Sequence, residues 1–350
     1  MSKAGFAIHG LRPRSDFGSL AMCASVLALL LGTAACSDDG ELQDSGETGD
    51  GDGDGDGDPG DGDGDGDGDG DPGDGDGDGD GDGDPGDGDL AVSLSFGAAL
   101  GDQPVACGQA YEGVGSEATT VEIQDLRFYV SAIELLDDQG EGTPLALDQD
   151  GLWQYEDVAL LDFEDGTAAC QEGGTAELND TVVGTAPAGD YTGVRFVLGV
   201  PFELNHQDAA NAPSPLNLPS MFWVWQGGYK FARVDLRNDN PDDNAWFWHQ
   251  GSTGCTSAGP EEPPAEPCLR SNRLTVEFQG FDWTSQTIVL DVATLLDGVD
   301  VSQNTAMTAP GCMSSPDDPE CMELFPRLGL DLETGACASD CSDQQVFRVE

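Results

Sequence analysis

From residue 90 onward, the hydrophobic pattern alternates with a period of two. Such segments occur at 126–131, 194–199, 229–236 and 274–278, and 287–292 is a β-branched apolar run. Period-two alternation directs one set of side chains into a core and the other toward solvent or a second layer. Clusters of Gly, Pro, Asp and Asn separate the segments, and helical periodicity is limited to one turn at 292–296. The pattern predicts an all-β fold, an antiparallel β-sandwich with long loops.

The N-terminal segment has the features of an export signal. A basic start leads into an apolar stretch, 20–31, that is too short to span a bilayer. It ends in Thr-Ala-Ala-Cys, and small residues before a cysteine are typical of a lipoprotein cleavage site. We therefore expect 1–36 to be a lipoprotein signal peptide and Cys36 to become the lipidated N-terminus, at the outer membrane or cell surface. An ordinary signal peptide cut nearby is the alternative.

Residues 37–89 are a low-complexity run of Asp-Gly repeats. Glycine loses backbone entropy on ordering and neighbouring aspartates repel, so this segment is expected to be a disordered tether. Calcium binding is the alternative, but calcium repeats of the β-helix type need apolar residues at fixed spacing, which this run does not have. The remaining residues, 90–350, are long enough for one large β-domain.

The charge balance excludes one class of partner. With 12 Lys and Arg against 68 Asp and Glu, the formal net charge is −56. Nucleic-acid binding needs cationic groups that neutralise phosphates, so it is not expected. Binding to an anionic membrane surface is not expected either, because the chain is itself acidic, and membrane contact is expected through the lipid anchor alone.

The cysteines predict a disulfide framework. Of the ten in the chain, Cys23 lies in the signal and Cys36 at its end, which leaves eight: Cys107, Cys170, Cys255, Cys268, Cys312, Cys321, Cys337 and Cys341. An even number in an exported chain is typical of disulfides, which would brace the loops. Proximity suggests Cys255 with Cys268, but eight cysteines allow roughly a hundred connectivities. Zinc ligation by thiolates is the alternative, and the chain has no Cys-x-x-Cys pair to favour it.

Candidate chemistry concentrates between residues 199 and 255. His206 and His249, both histidines outside the signal, lie there beside four tryptophans. Imidazole is an adaptable neutral metal ligand. Each histidine is predicted near a strand end, where loops of a sandwich converge. The two are far apart in sequence, so hydrogen-bonded structural histidines are the alternative.

Several short motifs in this region occur in one order. They are Leu-Gly-Val-Pro at 198–201, Leu-Asn-His at 204–206, Pro-Leu-Asn at 215–217, Met-Phe-Trp-x-Trp-Gln-x-Gly-Tyr-Lys-Phe at 221–231 and His-x-Gly-Ser-Thr-Gly-Cys at 249–255. Together they resemble the MbnP-like proteins, a four-cysteine-motif family of secreted copper-binding partners of di-haem, MauG-like peroxidases. The resemblance covers about residues 92–350 and implies a mainly β fold.

The resemblance implies roles for individual residues. The family's copper ligands match His206 and His249, and its four-cysteine core matches Cys107, Cys170, Cys255 and Cys268. The other four cysteines would brace 309–346. Gln250 departs from the family, where an apolar residue is usual.

The resemblance also implies a modified tryptophan. In this family, a tryptophan near the copper can be oxidised to kynurenine by the di-haem partner, and the resulting arylamine can ligate copper. Trp223 and Trp225 match the motif and are predicted to alternate across a strand. Trp246 and Trp248 are further candidates. Packing of large apolar rings is the alternative.

No hydrolase, metalloprotease or phosphate-loop motif is present in the sequence. We therefore expect a non-catalytic, lipid-anchored copper-binding protein that serves in acquisition, buffering or delivery. The alternative is an adhesion or structural β-domain, without metal, on an acidic stalk. A redox copper enzyme is a third and weaker hypothesis, since two histidines without a thiolate give it little support.

Overall fold

The computed structural model describes residues 88–171 and 175–350. The predicted signal peptide, the lipidation site Cys36 and nearly all of the linker lie outside these residues, so those predictions stay predictions. Within the described residues, no helix has both the length and the apolar character needed to cross a membrane.

The described residues form many short strands and few helices. The strands are β1 (Leu90–Leu100), β2 (Gln103–Pro104), β3 (Ala110–Val114), β4 (Thr119–Leu136), β5 (Gly142–Pro144), β6 (Ala146–Leu147), β7 (Gln154–Tyr155), β8 (Val158–Asp162), β9 (Thr181–Ala186), β10 (Gly193–Leu198), β11 (Ala232–Asn238), β12 (Ala245–Gln250), β13 (Leu274–Gln279), β14 (Thr287–Asp291) and β15 (Phe347–Val349). The α-helices are α1 (Phe202–Asn205), α2 (Val292–Leu295) and α3 (Cys321–Arg327), with 3₁₀ turns at Ala168–Cys170 and Pro219–Met221.

Two sheets are built from these strands. The first is six-stranded, in the order β15-β14-β1-β9-β6 with β2 beside β1. The second is nine-stranded, in the order β12-β11-β4-β10-β13, with β3, β5 and β8 also on β4 and β7 on β8. Neighbouring strands are antiparallel except β1 and β14, which run parallel. The predicted all-β class is confirmed, and the parallel pair makes the first sheet mixed.

Aromatic rings fill the space between the sheets. Phe96 and Phe347 come from the first sheet, and Phe128 and Phe196 from the second. Their rings meet edge to face, with centroids 5.4–6.3 Å apart, the geometry that aromatic quadrupoles favour. The apolar positions of the period-two segments therefore face this core, as the sequence predicted.

The outer face of the nine-stranded sheet is also covered. Tyr129 lies on β4 between the core residues Phe128 and Val130, and its side chain points to the other face, where it is fully buried. Its hydroxyl donates to the carbonyl oxygen of Pro215 at 2.9 Å. The loop from Gly199 to Phe231 thus folds over this face, with Leu204, Leu216 and Met221 in a second apolar cluster. This arrangement brings the loop that carries His206 onto the outer face.

Four disulfides brace the loops, as predicted. The pairs are Cys107–Cys170, Cys255–Cys268, Cys312–Cys321 and Cys337–Cys341. The first two use the four cysteines that match the family core, and the last two close short loops in the C-terminal segment.

Candidate metal centre

His206 follows the short helix α1 and is held by three neighbours. Its Nδ1 lies 3.0 Å from the carbonyl oxygen of Trp225. Because a carbonyl only accepts, Nδ1 carries the proton and donates it. Its Nε2 therefore has a lone pair, which faces the side-chain amide nitrogen of Asn205 at 3.2 Å. Burial lowers the pKa of His206, although the bond to Trp225 opposes that effect, so the ring is neutral near pH 7, as metal ligation requires.

The orientation of the Asn205 amide is fixed by the backbone. Its Oδ1 accepts from the backbone N–H of Tyr229 at 2.9 Å, so its nitrogen must face His206. Gly228 permits this approach, since its φ is +78° and a Cβ there would lie 2.5 Å from the carbonyl oxygen of Asn205. A glycine is required at this position for both reasons.

His249 lies inside β12, one residue before its end. Trp246 and Trp248 of the same strand are fully buried in the core. Alternation therefore turns Phe247 and His249 to the outer face, where their rings stack with centroids 5.5 Å apart. Register places His249 opposite Arg233 of β11.

Asp235 of β11 fixes the tautomer of His249. The His249 Nε2 lies 2.7 Å from Asp235 Oδ1, and because the carboxylate only accepts, Nε2 carries the proton. The lone pair of the ring is then on Nδ1. Burial lowers the pKa of His249, although Asp235 opposes that effect. Burial of Asp235 opposes ionisation, but the bonds from His249 and Arg233 still hold its pKa below the usual value.

A buried ionic network extends from Asp235 across the outer face. Arg233 Nε donates to Asp235 Oδ2 at 2.9 Å, and Arg233 Nη1 lies 2.9 Å from Asp125 Oδ2. Asp125 in turn binds Arg127, whose side chain is fully buried. The sequence pattern predicted that these charged side chains face solvent or a second layer. In the structure they are buried on the outer face of the sheet, which a second layer covers. Asp235 was not singled out from the sequence, since only strand register connects it to His249.

The Trp-x-Trp motif does not form the predicted strand. Residues 221–229 form turns with one isolated bridge, between Phe222 and Tyr229. The Gly227–Gly228 doublet, a turn signal, explains the difference, because Gly228 N–H donates to the Val224 carbonyl and closes the loop. Trp223 and Trp225 therefore do not alternate between a core face and a site face.

Trp225 contacts His206 directly, whereas Trp223 contacts a residue close to His249 in the chain. Trp225 provides the carbonyl that binds His206. Trp223 lies against Gly251, two residues beyond His249, and a Cβ on Gly251 would come within 2.5 Å of the indole ring. Trp223 also lines an open cavity of about 350 Å³ together with Ser252, Cys255 and Met313.

The third neighbour of His206 is a disulfide. Its Nε2 lies 3.6 Å from Cys268 Sγ, and the ligand atoms of His206, Cys255 and Cys268 all lie within 4.8 Å of one another. Among the described residues, the other such group is Cys107, Glu164 and Cys170. Neither group contains both histidines, so the structure places His206 and His249 on one face without bringing them into a common set of this kind.

The donor chemistry of the two histidines nevertheless fits a copper ion. In each ring, one nitrogen donates to a fixed oxygen, Trp225 O or Asp235 Oδ1, and the other has the lone pair. A ligand histidine commonly has this arrangement, in which an acceptor behind the ring fixes its tautomer and raises its basicity.

Comparison with known proteins identifies one family to which this chain is similar. The profile of the MbnP protein family matches residues 89–314. Among solved structures, the MbnP from Methylosinus trichosporium is 35% identical, with a TM-score of 0.65, and the match covers 75% of this chain and 98% of that one. Comparison with curated proteins gives no significant match. The profile match includes both histidines, Trp223 and Trp225.

Proposed function

The chain belongs to the MbnP family, and from that membership we propose that it is an exported copper-binding protein with His206 and His249 as imidazole ligands. Bound copper would supply a thiophilic, redox-active ion to the outer face of the sheet. The observation that carries the proposal is the matched pair of fixed tautomers, in which Trp225 O and Asp235 each hold one ring nitrogen and leave the lone pair on the other. In His206 that lone pair accepts from the Asn205 amide, which a bound ion would replace.

The proposed role is binding rather than catalysis. The ring of His249 contacts Asp235 and Phe247, and its Nδ1 has no hydrogen bond to a serine, threonine or cysteine among the described residues. A histidine that acted as a base would instead contact a nucleophile or an open substrate position. Acquisition, buffering or delivery of copper is the corresponding function, performed by a lipid-anchored protein at the outer membrane or cell surface.

A di-haem, MauG-like peroxidase is the proposed partner, with Trp223 or Trp225 as its substrate residue. Both residues are partly exposed. The Trp225 carbonyl binds His206, and the Trp223 ring lies against Gly251, two residues beyond His249. Trp246 and Trp248 are fully buried in the core on the opposite face, which makes them poorer substrates. Conversion of an indole to kynurenine adds one oxygen and removes one carbon, a gain of about 4 Da in intact mass.

Metal analysis and intact mass test this proposal together. The mature protein, expressed alone and with its di-haem partner, is dialysed against a weak chelator and analysed for copper. We expect copper in proportion to protein, with strong loss in His206→Ala and His249→Ala. Gln207→Ala is the matched control, since its partly exposed side chain bonds only to the Glu203 carbonyl. Absence of copper from the folded wild type would instead favour a structural or adhesion domain.

A further inference from the structure

The Cys255–Cys268 disulfide differs from the others in its exposure. Both of its cysteines are partly exposed. Each of the other three disulfides has at least one cysteine that is buried, these being Cys170, Cys312, Cys321 and Cys341, all 0–1% exposed. A reductant in solution can therefore approach Cys255–Cys268 from either cysteine, whereas Cys107–Cys170 and Cys337–Cys341 each offer one partly exposed cysteine and Cys312–Cys321 offers none. Thiol–disulfide exchange depends on access to sulfur, so we expect this pair to open first.

This accessible disulfide also has a nitrogen ligand beside it. The lone pair of His206 lies on Nε2, where it accepts from the Asn205 amide at 3.2 Å, a bond that a metal ion would replace. Nε2 is also 3.6 Å from Cys268 Sγ, and the three ligand atoms lie within 4.8 Å of one another. We propose that reduction of Cys255–Cys268 creates a second metal site, in which two thiolates and His206 Nε2 bind a thiophilic ion such as Zn²⁺ or Cu⁺. The site goes beyond the proposed copper function and shares only His206 with it.

The distances suit tetrahedral coordination. With Zn–S near 2.3 Å and Zn–N near 2.0–2.1 Å, a tetrahedral angle places nitrogen and sulfur about 3.6 Å apart and two sulfurs about 3.8 Å apart. The first separation already exists between His206 Nε2 and Cys268 Sγ, at 3.6 Å. The sulfurs are 2.01 Å apart in the disulfide and must separate by about 1.8 Å, which a change of side-chain rotamer provides.

The backbone keeps the two cysteines together once the disulfide opens. Thr253, two residues before Cys255, and Arg270, two residues after Cys268, exchange two backbone hydrogen bonds, each 3.0 Å long. The loop itself, 256–267, is rich in proline and largely exposed. It can therefore adjust to a wider sulfur separation while its ends remain paired.

The redox step balances with a dithiol as the reductant. Its two thiols give two electrons and two protons to the disulfide, and the reductant closes its own disulfide. Metal binding then releases the two protons of Cys255 and Cys268, because the thiolates are the ligands. Fourfold coordination would be completed by water, as in sites with three protein ligands.

Cd²⁺ alone is a suitable probe, since thiolate ligation gives it a charge-transfer absorption in the ultraviolet. The full mature chain is treated under native conditions with a water-soluble phosphine, which takes oxygen from water as it reduces a disulfide. Alkylation and peptide mass then show which cysteines have opened. We expect Cys255 and Cys268 to open first, followed by a saturable charge-transfer band on adding Cd²⁺ that the unreduced protein does not show.

Three variants locate the site. The double variant Cys255→Ser/Cys268→Ser should give no band after the same treatment, and His206→Ala should bind Cd²⁺ about tenfold more weakly or worse. His249→Ala should keep the band in reduced protein while losing copper in oxidised protein, which separates this site from the proposed copper function. Circular dichroism confirms that each variant is folded.

Three results would overturn the inference. The first is prior opening of another disulfide. The second is reduced wild type, open at Cys255 and Cys268, without a band. The third is a serine double variant that keeps the band.

Discussion

Replacement of Asp235 by asparagine tests the link between the ionic network and His249. The carboxylate accepts from His249 Nε2 at 2.7 Å and from Arg233 Nε at 2.9 Å, and Asp235 is only 6% exposed. Asparagine has nearly the same volume but no charge, and it can donate as well as accept. The variant therefore removes the group that holds the proton on Nε2 while it changes packing little.

The size of the effect follows from these contacts. Loss of an acceptor behind a ligand histidine typically lowers metal affinity about 10–100-fold, or about 1.4–2.7 kcal/mol. Arg233 keeps its contact with Asp125 at 2.9 Å, so no buried cation is left unpaired. The expected loss of folding stability is therefore about 1–3 kcal/mol, as for one charged hydrogen bond, rather than the 3–5 kcal/mol of an orphaned buried ion, which is a rough upper figure.

Two measurements and one control decide the question. Competition with a chromophoric chelator gives copper affinity, and ¹⁵N NMR gives the tautomer, with only His206 and His249 to resolve in the mature chain. Glu122→Gln is the control, since Glu122 pairs with Arg237 on the same sheet but both side chains are partly exposed, where such pairs contribute about 0–1 kcal/mol. A folded Asp235→Asn with altered tautomer and undiminished affinity would refute the reasoning.

Three further outcomes are expected. Burial raises the pKa of Asp162 to about 7, so the native state retains a proton that the unfolded chain releases, and the contribution of Asp162 to stability should fall from about pH 4 to about pH 7. Urea unfolding across that range should show the stability of the wild type falling relative to that of Asp162→Asn as the pH rises. Replacement of both cysteines by serine should lower the free energy of unfolding by about 4 kcal/mol for Cys107–Cys170 and by about 2 kcal/mol for Cys337–Cys341, because the bridges span 63 and 4 residues. Equal losses of stability in chemical denaturation would contradict this. Copper at about 100 times its dissociation constant should stabilise the folded chain by about 2.7 kcal/mol, and calorimetry without an upward shift in melting temperature would count against binding.

The strands could be predicted from the sequence because a sandwich core imposes a period of two. Phe128 and Phe196 sit at alternating positions whose only requirement is to face one side. The prediction of a strand at Trp223–Trp225 was wrong, because alternation over three residues is also compatible with a turn. The following Gly227–Gly228 doublet favours the turn. That doublet was visible in the sequence.

The hydrogen bond between Asp235 and His249 could not be predicted. It depends on the register of two strands, which a one-residue shift would change by turning every side chain to the other face. The same holds for the contact between His206 and Cys268, which joins two loops far apart in the chain. Sequence motifs identified the histidines, but the structure was needed to show what orients them.

The buried charges behind His249 give a reason to regard its orientation as functional. Ion pairs such as Arg127–Asp125 contribute little net stability, since desolvation offsets their attraction, and apolar side chains of equal volume often serve a β-sandwich as well or better. Asp235 instead fixes the tautomer of His249, because a carboxylate can only accept and so determines which nitrogen of the ring carries the proton. Arg233 holds the other carboxylate oxygen and keeps Asp235 ionised. A packed core does not require one tautomer of one ring, whereas a metal ligand does.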